Sequence, residues 1–313
     1  MNLTSENIKK ATSNIKFPSE LFINGKYQKS ISEKSFDNIS PIDGNVINKV
    51  FLAQQEDVDL AVSKARETFN KGHWSNLPPG QRKKILLKFA TLLERDRLEL
   101  ALLDTIDMGK TINDTFNADL PTSIDNIEWY AEIIDKLFDD ISPSSKEYMG
   151  LVTKEPIGVV AAIVPWNYPL WMAIWKIAPA LITGNSVILK PAEQSPMSAI
   201  KIGALLSEAG VPDGVFSVLP GDGPITGKSL CLHKDVDCVA FTGSGEVGKL
   251  VLQYSGQSNM KRVQLECGGK SPNIIFADCH DLDAAAEASA YACLLYTSDA
   301  ADEGLGVDLG GRR

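Results

Sequence analysis

GVVAAIVPWNYPLWMAIWKIAPALITGNSVILKPAE, residues 158–193, decides the fold. It sets a helical stretch, 170–181, between two short β-branched apolar runs, 158–164 and 186–189. The alternation continues downstream. Candidate strands lie at 215–219, 238–241, 262–265 and 273–276, and candidate helices at 198–208, 224–230, 246–254 and 282–291. Strand alternating with helix predicts an α/β fold built on a doubly wound parallel sheet. Ligands of such a sheet bind beyond the carboxyl ends of its strands, so the residues that follow each strand are where chemistry is sought.

Upstream of this unit the texture differs. Residues 21–30 alternate apolar and polar around Asn24-Gly25, a hairpin turn signal, and 40–50 carry another at Asp43-Gly44, so both predict small edge strands. Helical spacing of apolar residues predicts two amphipathic helices, 57–69 and 79–107, with Pro79 in a first turn and Gly109 as a stop. A further helix is predicted over 124–137, and the pattern breaks at 139–145.

The whole chain has 313 residues, a length that suits two domains or one large α/β domain. Its 44% apolar and 23% charged residues are those of a packed globular protein. The 31 Lys and Arg against 40 Asp and Glu leave a net charge of −9, which repels a nucleic-acid backbone. Five cysteines without a Cys-x-x-Cys pair point to a reducing compartment, and three scattered histidines lack the ligand spacing of a zinc site. Residues 1–18 lack the apolar core of a secretory signal, and the greasiest stretches are too short to span a bilayer. A cytoplasmic location is expected, with no metal, nucleic-acid or membrane partner.

At the strand ends several residues invite chemistry, each with a plainer alternative. In Pro165-Trp166-Asn167-Tyr168-Pro169 the prolines stiffen the loop, and Asn167 either caps the next helix or offers its amide to a developing oxyanion. Lys190 and Glu193 of Lys190-Pro191-Ala192-Glu193 either hold a ribose through its hydroxyls or form an exposed ion pair of little worth. In the first case the Glu193 carboxylate would repel a 2′-phosphate and so favour NAD over NADP. Gly243-Ser244-Gly245-Glu246-Val247-Gly248 matches the glycine pattern of dinucleotide-binding turns, with Glu266 in the place of its ribose acid. That pattern belongs in a first strand–helix turn, whereas three candidate strands precede it here. Glu266, in Leu265-Glu266-Cys267-Gly268-Gly269, is either a general base or a loop carboxylate capping a turn. Cys267 reads more readily as a small residue packed under a glycine turn than as a nucleophile.

In order and spacing, segments 165–169, 190–193, 241–248 and 265–272 resemble the NAD(P)-dependent aldehyde dehydrogenase family. The likeness covers about residues 21–292, and Phe22 to Gly25, Trp74 and Asp107 to Lys110 share it. Trp129-Tyr130-Ala131-Glu132, Ile134-Asp135-Lys136 and residues 258–263 are most similar to the branch that oxidises γ-glutamyl-γ-aminobutyraldehyde and related aminoaldehydes. The resemblance implies a Rossmann-like NAD-binding domain over 1–292 and an aldehyde substrate oxidised to its acid. It implies that Glu266 is the general base that activates water against a thioester, that Asn167 is the oxyanion donor, and that Lys176 helps relay the proton. Lys190 and Glu193 would then contact the adenosine ribose, while Ile163, Val164, Pro165 and Trp166 line the cofactor cleft. Ser244 and Val247 would meet the pyrophosphate, Gly223 and Pro224 the adenine, and Phe241, Gly243, Cys267 and Gly268 complete the cofactor set. The ribose acid becomes Glu193, which frees Glu266 for chemistry. Residues 140–155 resemble part of the family's oligomerisation hairpin, implying a homo-oligomer, dimer or tetramer.

One part of the pattern is missing. The family's cysteine nucleophile, expected 34–36 residues past the general base, would fall at Ala300, Ala301 or Asp302; Cys293 comes too early and lacks the Gln and Gly neighbours. CLLYTSDAADE, residues 293–303, resembles translated sequencing adapter, so 293–313 is expected to be a foreign tail, or else a divergent natural terminus. The chain is therefore expected to be a fragment, inactive by itself and poorly soluble. The alternatives are a non-catalytic NAD-binding or structural protein of the same fold, and a conventional Rossmann enzyme that uses Glu266 on ribose.

Overall fold

A computed structural model describes residues 3–269 and 272–295. Helix α1 (Ser5–Asn14) starts at Thr4, whose hydroxyl accepts from the Asn7 N–H at 3.2 Å. Asn24 and Gly25, at φ 51° and 76°, take the left-handed conformation that a tight hairpin needs, and join β1 (Leu21–Ile23) to β2 (Lys26–Gln28). A second hairpin, β3 (Ser35–Ile39) and β4 (Val46–Phe51), forms a sheet of its own.

Helices α2 (Gln55–Asn70), α3 (Pro79–Arg95) and α4 (Arg97–Met108) follow. The expected single helix over 79–107 is broken at Asp96, which leaves helical geometry at φ −98° and ψ 14° while its carboxylate pairs with Arg95. The apolar periodicity runs through the break because Leu86, Phe89 and Leu93 of α3 and Leu100 of α4 enter the same core. A single turn, α5 (Ile112–Asp114), opens into a wide π-turn over Thr115–Asp119, and α6 (Leu120–Ile133) begins earlier than predicted because Pro121 suits a first helical turn. A short hairpin, β5 (Asp140–Ser142) and β6 (Gly150–Val152), lies in the segment expected to be one.

The alternating unit runs β7 (Val159–Ile163), α7 (Pro169–Ile182), β8 (Ser186–Lys190), α8 (Met197–Ala209), β9 (Phe216–Val218), a π-turn over Gly223–Gly227, α9 (Lys228–Leu232), β10 (Cys238–Gly243), α10 (Gly245–Gln257), β11 (Arg262–Cys267) and α11 (Leu282–Leu295). The helix expected over 224–230 is thus split between the π-turn and α9. The sheet order is β11-β10-β7-β8-β9-β1-β2, with β7 to β11 parallel and β1 and β2 antiparallel at one end. Two expectations fail here. β1 is no edge strand: it lies between β9 and β2 with all three residues buried. Residues 273–276 form no strand, and Ile274, Ile275 and Phe276 are exposed, because apolar β-branched composition makes a strand only where a ladder partner is present. α11 reaches Leu295; the rest of the expected foreign tail lies outside the described residues.

Burial on both faces of the sheet fixes the two cores. Val160 and Ala162 of β7, with Val164 just past it, belong to a core shared with α3, α6, α7 and α8, while Val159, Ala161 and Ile163 belong to one shared with α2, α9 and α10. β8 repeats the alternation with Val187 and Leu189 against Ile188. Strands covered on both faces are apolar through most of their length, and the buried polar residues of β8, Ser186 and Lys190, stand at its two ends.

Two buried carboxyls support the helices that follow the first two parallel strands. Asp104 accepts from the Leu170 N–H of α7 at 3.4 Å, and Asp107 from the Met197 N–H of α8 at 2.8 Å and the Asn38 amide at 2.6 Å. Burial pushes Asp104 up to about 7 and Asp107 up to about 8, against the hydrogen bonds each accepts. Both titrate near 4 when unfolded, so their stabilisation is complete below about pH 4 and is lost as pH rises through 7 to 8. The melting temperature should therefore fall by several degrees between about pH 6.5 and 8.5, with a shallower slope for Asp104→Asn. A midpoint that holds or rises over that range would contradict this assignment.

Candidate cofactor and active site

β7 sits between β8 and β10, so the chain leaves it in one direction and returns on its other side. That reversal opens a crevice at the carboxyl ends of β7 and β10, the place where a doubly wound sheet holds its ligand. Every strand-end segment singled out above lies along this edge. Ile163 is in register with Lys190 on one side and Phe241 on the other, and Thr242 and Gly243 with Glu266 and Cys267. Val164 is buried behind the loop that Pro165, Trp166 and Asn167 carry half-buried.

Between β10 and α10 the glycine pattern has separate steric reasons. A Cβ on Gly243 would lie 2.5 Å from the Phe241 ring, and one on Gly248 2.8 Å from the Cys267 sulfur. The Cys267 sulfur therefore lies close beside Gly248, while the residue itself is exposed. Beside Gly245 nothing lies within 4 Å, so the start of α10 faces open space. Ser244 caps this helix, its hydroxyl accepting from the Val247 N–H at 3.3 Å. An open helix amino terminus with free N–H groups and a favourable dipole suits a phosphate. Gly223 and Pro224 begin the π-turn after β9, exposed and with open space beside Gly223.

The exposed ion pair expected of Lys190 and Glu193 is half wrong. Lys190 is 3% exposed, and its ammonium donates to Glu193, an outward-lying carboxylate, at 3.3 Å. Burial holds this lysine below the usual lysine range, with Glu193 and then Asp222 acting against it. A cation kept in the interior at a strand end, with an accessible acid beside it, is a costly arrangement that surface solubility does not explain.

Lys176, on α7, is also buried, and burial lowers its pKa against the opposing influence of the Glu266 carboxylate. The fold thus brings these two residues, 90 positions apart, into one electrostatic neighbourhood. The N-cap of α7 is Tyr168, one residue past Asn167, so the capping alternative for Asn167 does not match the helix start. Cations and donors also close the far end of α7: Trp74 Nε1 donates to Leu181 O and Arg82 Nε to Ile182 O, each at 2.8 Å. Arg82 further donates to Ser75 O and Leu77 O.

Lys110 and Asp119 went unassigned by motif reading. The Lys110 ammonium meets both Asp119 oxygens at 2.9 and 2.7 Å, and lies 3.7 Å from the centre of the Tyr168 ring. No periodicity links positions 110, 119 and 168, so only the likeness of Asp107 to Lys110 to a family string marked the place. Among the described residues no cluster of His, Cys, Asp and Glu could hold a metal, and no helix is long and apolar enough to cross a membrane. Chemically, the edge combines an anion-accepting helix end, a buried cation, two carboxylates and an amide.

The model of the aldehyde dehydrogenase family matches residues 27–300. The NADP/NAD-dependent aldehyde dehydrogenase PuuC of Escherichia coli is 48% identical over 270 residues, 86% of this chain and 54% of that protein. The crystal structure of an indole-3-acetaldehyde dehydrogenase in complex with NAD+ superposes with a TM-score of 0.92 at 49% identity, over 96% of this chain and 61% of that one. That of γ-glutamyl-γ-aminobutyraldehyde dehydrogenase from Burkholderia cenocepacia gives 0.91 at 48%, over 95% and 61%. The chain spans little more than half the length of the curated relatives it matches.

Proposed function

Because the chain belongs to the aldehyde dehydrogenase family, we propose that its full-length parent oxidises an aldehyde to a carboxylic acid with NAD, residues 1–292 forming the cofactor side of the site and the chain by itself being inactive. The observation that carries this is the crevice beside β7, where a buried Lys190, an accessible Glu193 and the open start of α10 face one edge. Those residues fit a dinucleotide. The α10 N–H groups and Ser244 would receive the pyrophosphate, with Val247, Phe241 and Gly243 shaping that turn. Lys190 and Glu193 would hold the adenosine ribose, and Gly223 and Pro224 would border the adenine. Ile163, Val164, Pro165, Trp166, Cys267 and Gly268 would enclose the other half.

NAD, when bound, takes up the two electrons released at the aldehyde carbon. The remaining work falls to side chains. In the longer parent a cysteine thiolate would add to the aldehyde carbon, and the Asn167 amide would donate to the aldehyde oxygen as negative charge gathers there. Glu266, exposed and ionisable, would take the proton of an attacking water, and buried Lys176 would pass that proton along. The names of the Burkholderia enzyme and of the aminoacetaldehyde dehydrogenase of Pseudomonas aeruginosa support an aminoaldehyde as the substrate class. The exposed apolar residues Ile141, Leu151 and Val152 of the β5–β6 hairpin support its use in a homo-oligomer, and the free thiols support a cytoplasmic setting. The non-catalytic alternative draws no support from relatives that are themselves named as dehydrogenases.

Calorimetric titration of the full chain with NAD and NADP tests the cofactor reading. Saturable binding of one NAD per chain is expected, tighter than that of NADP because the Glu193 carboxylate repels a 2′-phosphate. A chain that binds neither would refute it.

A further inference from the structure

The loop over residues 165–168 supplies Trp166 and Asn167 to the proposed cleft, and three contacts outside that cleft hold it. At its upstream side the Trp166 carbonyl accepts from the Ser195 hydroxyl at 3.3 Å. Downstream, the Leu170 N–H donates to Asp104. Between them stands Tyr168, the N-cap of α7, with φ −139°, ψ 69° and no side-chain cap bond of its own. Its ring meets Trp171 edge-on at 5.2 Å between centroids and the Lys110 ammonium at 3.7 Å.

Lys110 has the features of a fixed part. Its side chain is 6% exposed and that of Asp119 3%, so neither is a solvated surface group. Two of the ammonium's three donor directions are taken by the Asp119 oxygens, which aims the remaining charge at the aromatic face. Desolvated, such a cation–π contact is stronger than one at an exposed site. Asp119 closes the π-turn over Thr115–Asp119, an irregular geometry that recurs at functional sites. A buried ion pair is weak support for stability, since an apolar pair of similar volume often does as well. Its value here is direction, because it sets one ring in one place.

We infer that Lys110 is a positioning residue: fixed by Asp119, it holds the Tyr168 ring and thereby sets the cleft wall formed by Trp166 and Asn167. The inference rests on the cofactor reading above. A side chain placed about 1 Å too loosely is enough to spoil a binding wall. The adenosine half of the crevice, at Lys190, Glu193 and α10, is built on other elements and should not feel the change.

The test is a pair of titrations on the full chain, with NAD and with ADP, which lacks the nicotinamide half. Lys110→Met should weaken NAD binding about tenfold and leave ADP binding within about twofold, while Lys110→Arg restores most of the NAD affinity. Tyr168→Leu should reproduce the selective loss and Tyr168→Phe should not, which decides the matter even if Lys110→Met fails to fold. Unchanged NAD binding in both Lys110→Met and Tyr168→Leu overturns the positioning role, as does equal loss of NAD and ADP. Wild-type chain that binds neither ligand overturns the cofactor reading itself, and this inference with it.

Discussion

A Lys190→Met chain is expected to bind NAD roughly a hundredfold more weakly than wild type, with a melting temperature unchanged or raised. The two effects would separate on the proposal that the buried ammonium serves a ligand and not the fold. Lys190 ends β8 in the interior with Glu193 as its hydrogen-bonding acid, and burial alone disfavours its charge. A hydrogen bond from a charged donor contributes about 1.5–3 kcal/mol, which spans tenfold to a hundredfold and more in affinity. Glu193→Ala should cost NAD about tenfold and narrow the preference over NADP, while Glu266→Ala leaves NAD affinity within about twofold. The reverse order, with Glu266 mattering and Glu193 silent, would restore the conventional assignment in which the acid after the glycine turn holds the ribose. Titration of the three variants with both dinucleotides separates these outcomes.

Gly158→Val is expected to destabilise the chain by roughly 3–5 kcal/mol, from backbone strain of about 1–3 and a lost charge-assisted bond of about 1.5–3. Gly158 precedes β7 at φ 131°, where a side chain is strained, and a Cβ there would sit 1.9 Å from an oxygen of Asp237. That carboxylate accepts from the Val159 N–H at 2.7 Å and pairs with Arg66, while the Asp237 N–H donates back to Val159 O at 2.9 Å. Displacing it therefore unfastens β7 from the start of β10, the two strands that flank the crevice. Gly245→Ala is the contrast: its Cβ would meet nothing within 4 Å, so urea unfolding should register almost no change. Equal urea midpoints for Gly158→Val and wild type would sink the proposed role of Asp237.

Local sequence reads well where one residue's surroundings are set by its near neighbours. β7, β8 and their helices were legible to within a residue or two because period-2 and period-3.6 burial shows directly in apolar spacing. The break at Asp96 was not, since both helices feed one core and the spacing never faltered. Residues 273–276 look like a strand in composition, yet pairing depends on a neighbour that composition cannot supply. At the site, spacing located the strand ends, but it could not show that Lys190 is buried or that Lys176 feels Glu266. Lys110 and Asp237 act across 58 and 78 positions, and their partners at Tyr168 and Val159 become visible only once the chain is folded.

The pairing of β1 with β9 has a consequence in time. Phe22 stands opposite Val218, so β1 docks on a strand made about two hundred residues later. At about 5–20 residues per second that is a wait of roughly 10–40 s, during which Leu21, Phe22 and Ile23 have no sheet to cover them. An apolar segment that waits this long for its partner strand is one that a chaperone would shelter during synthesis.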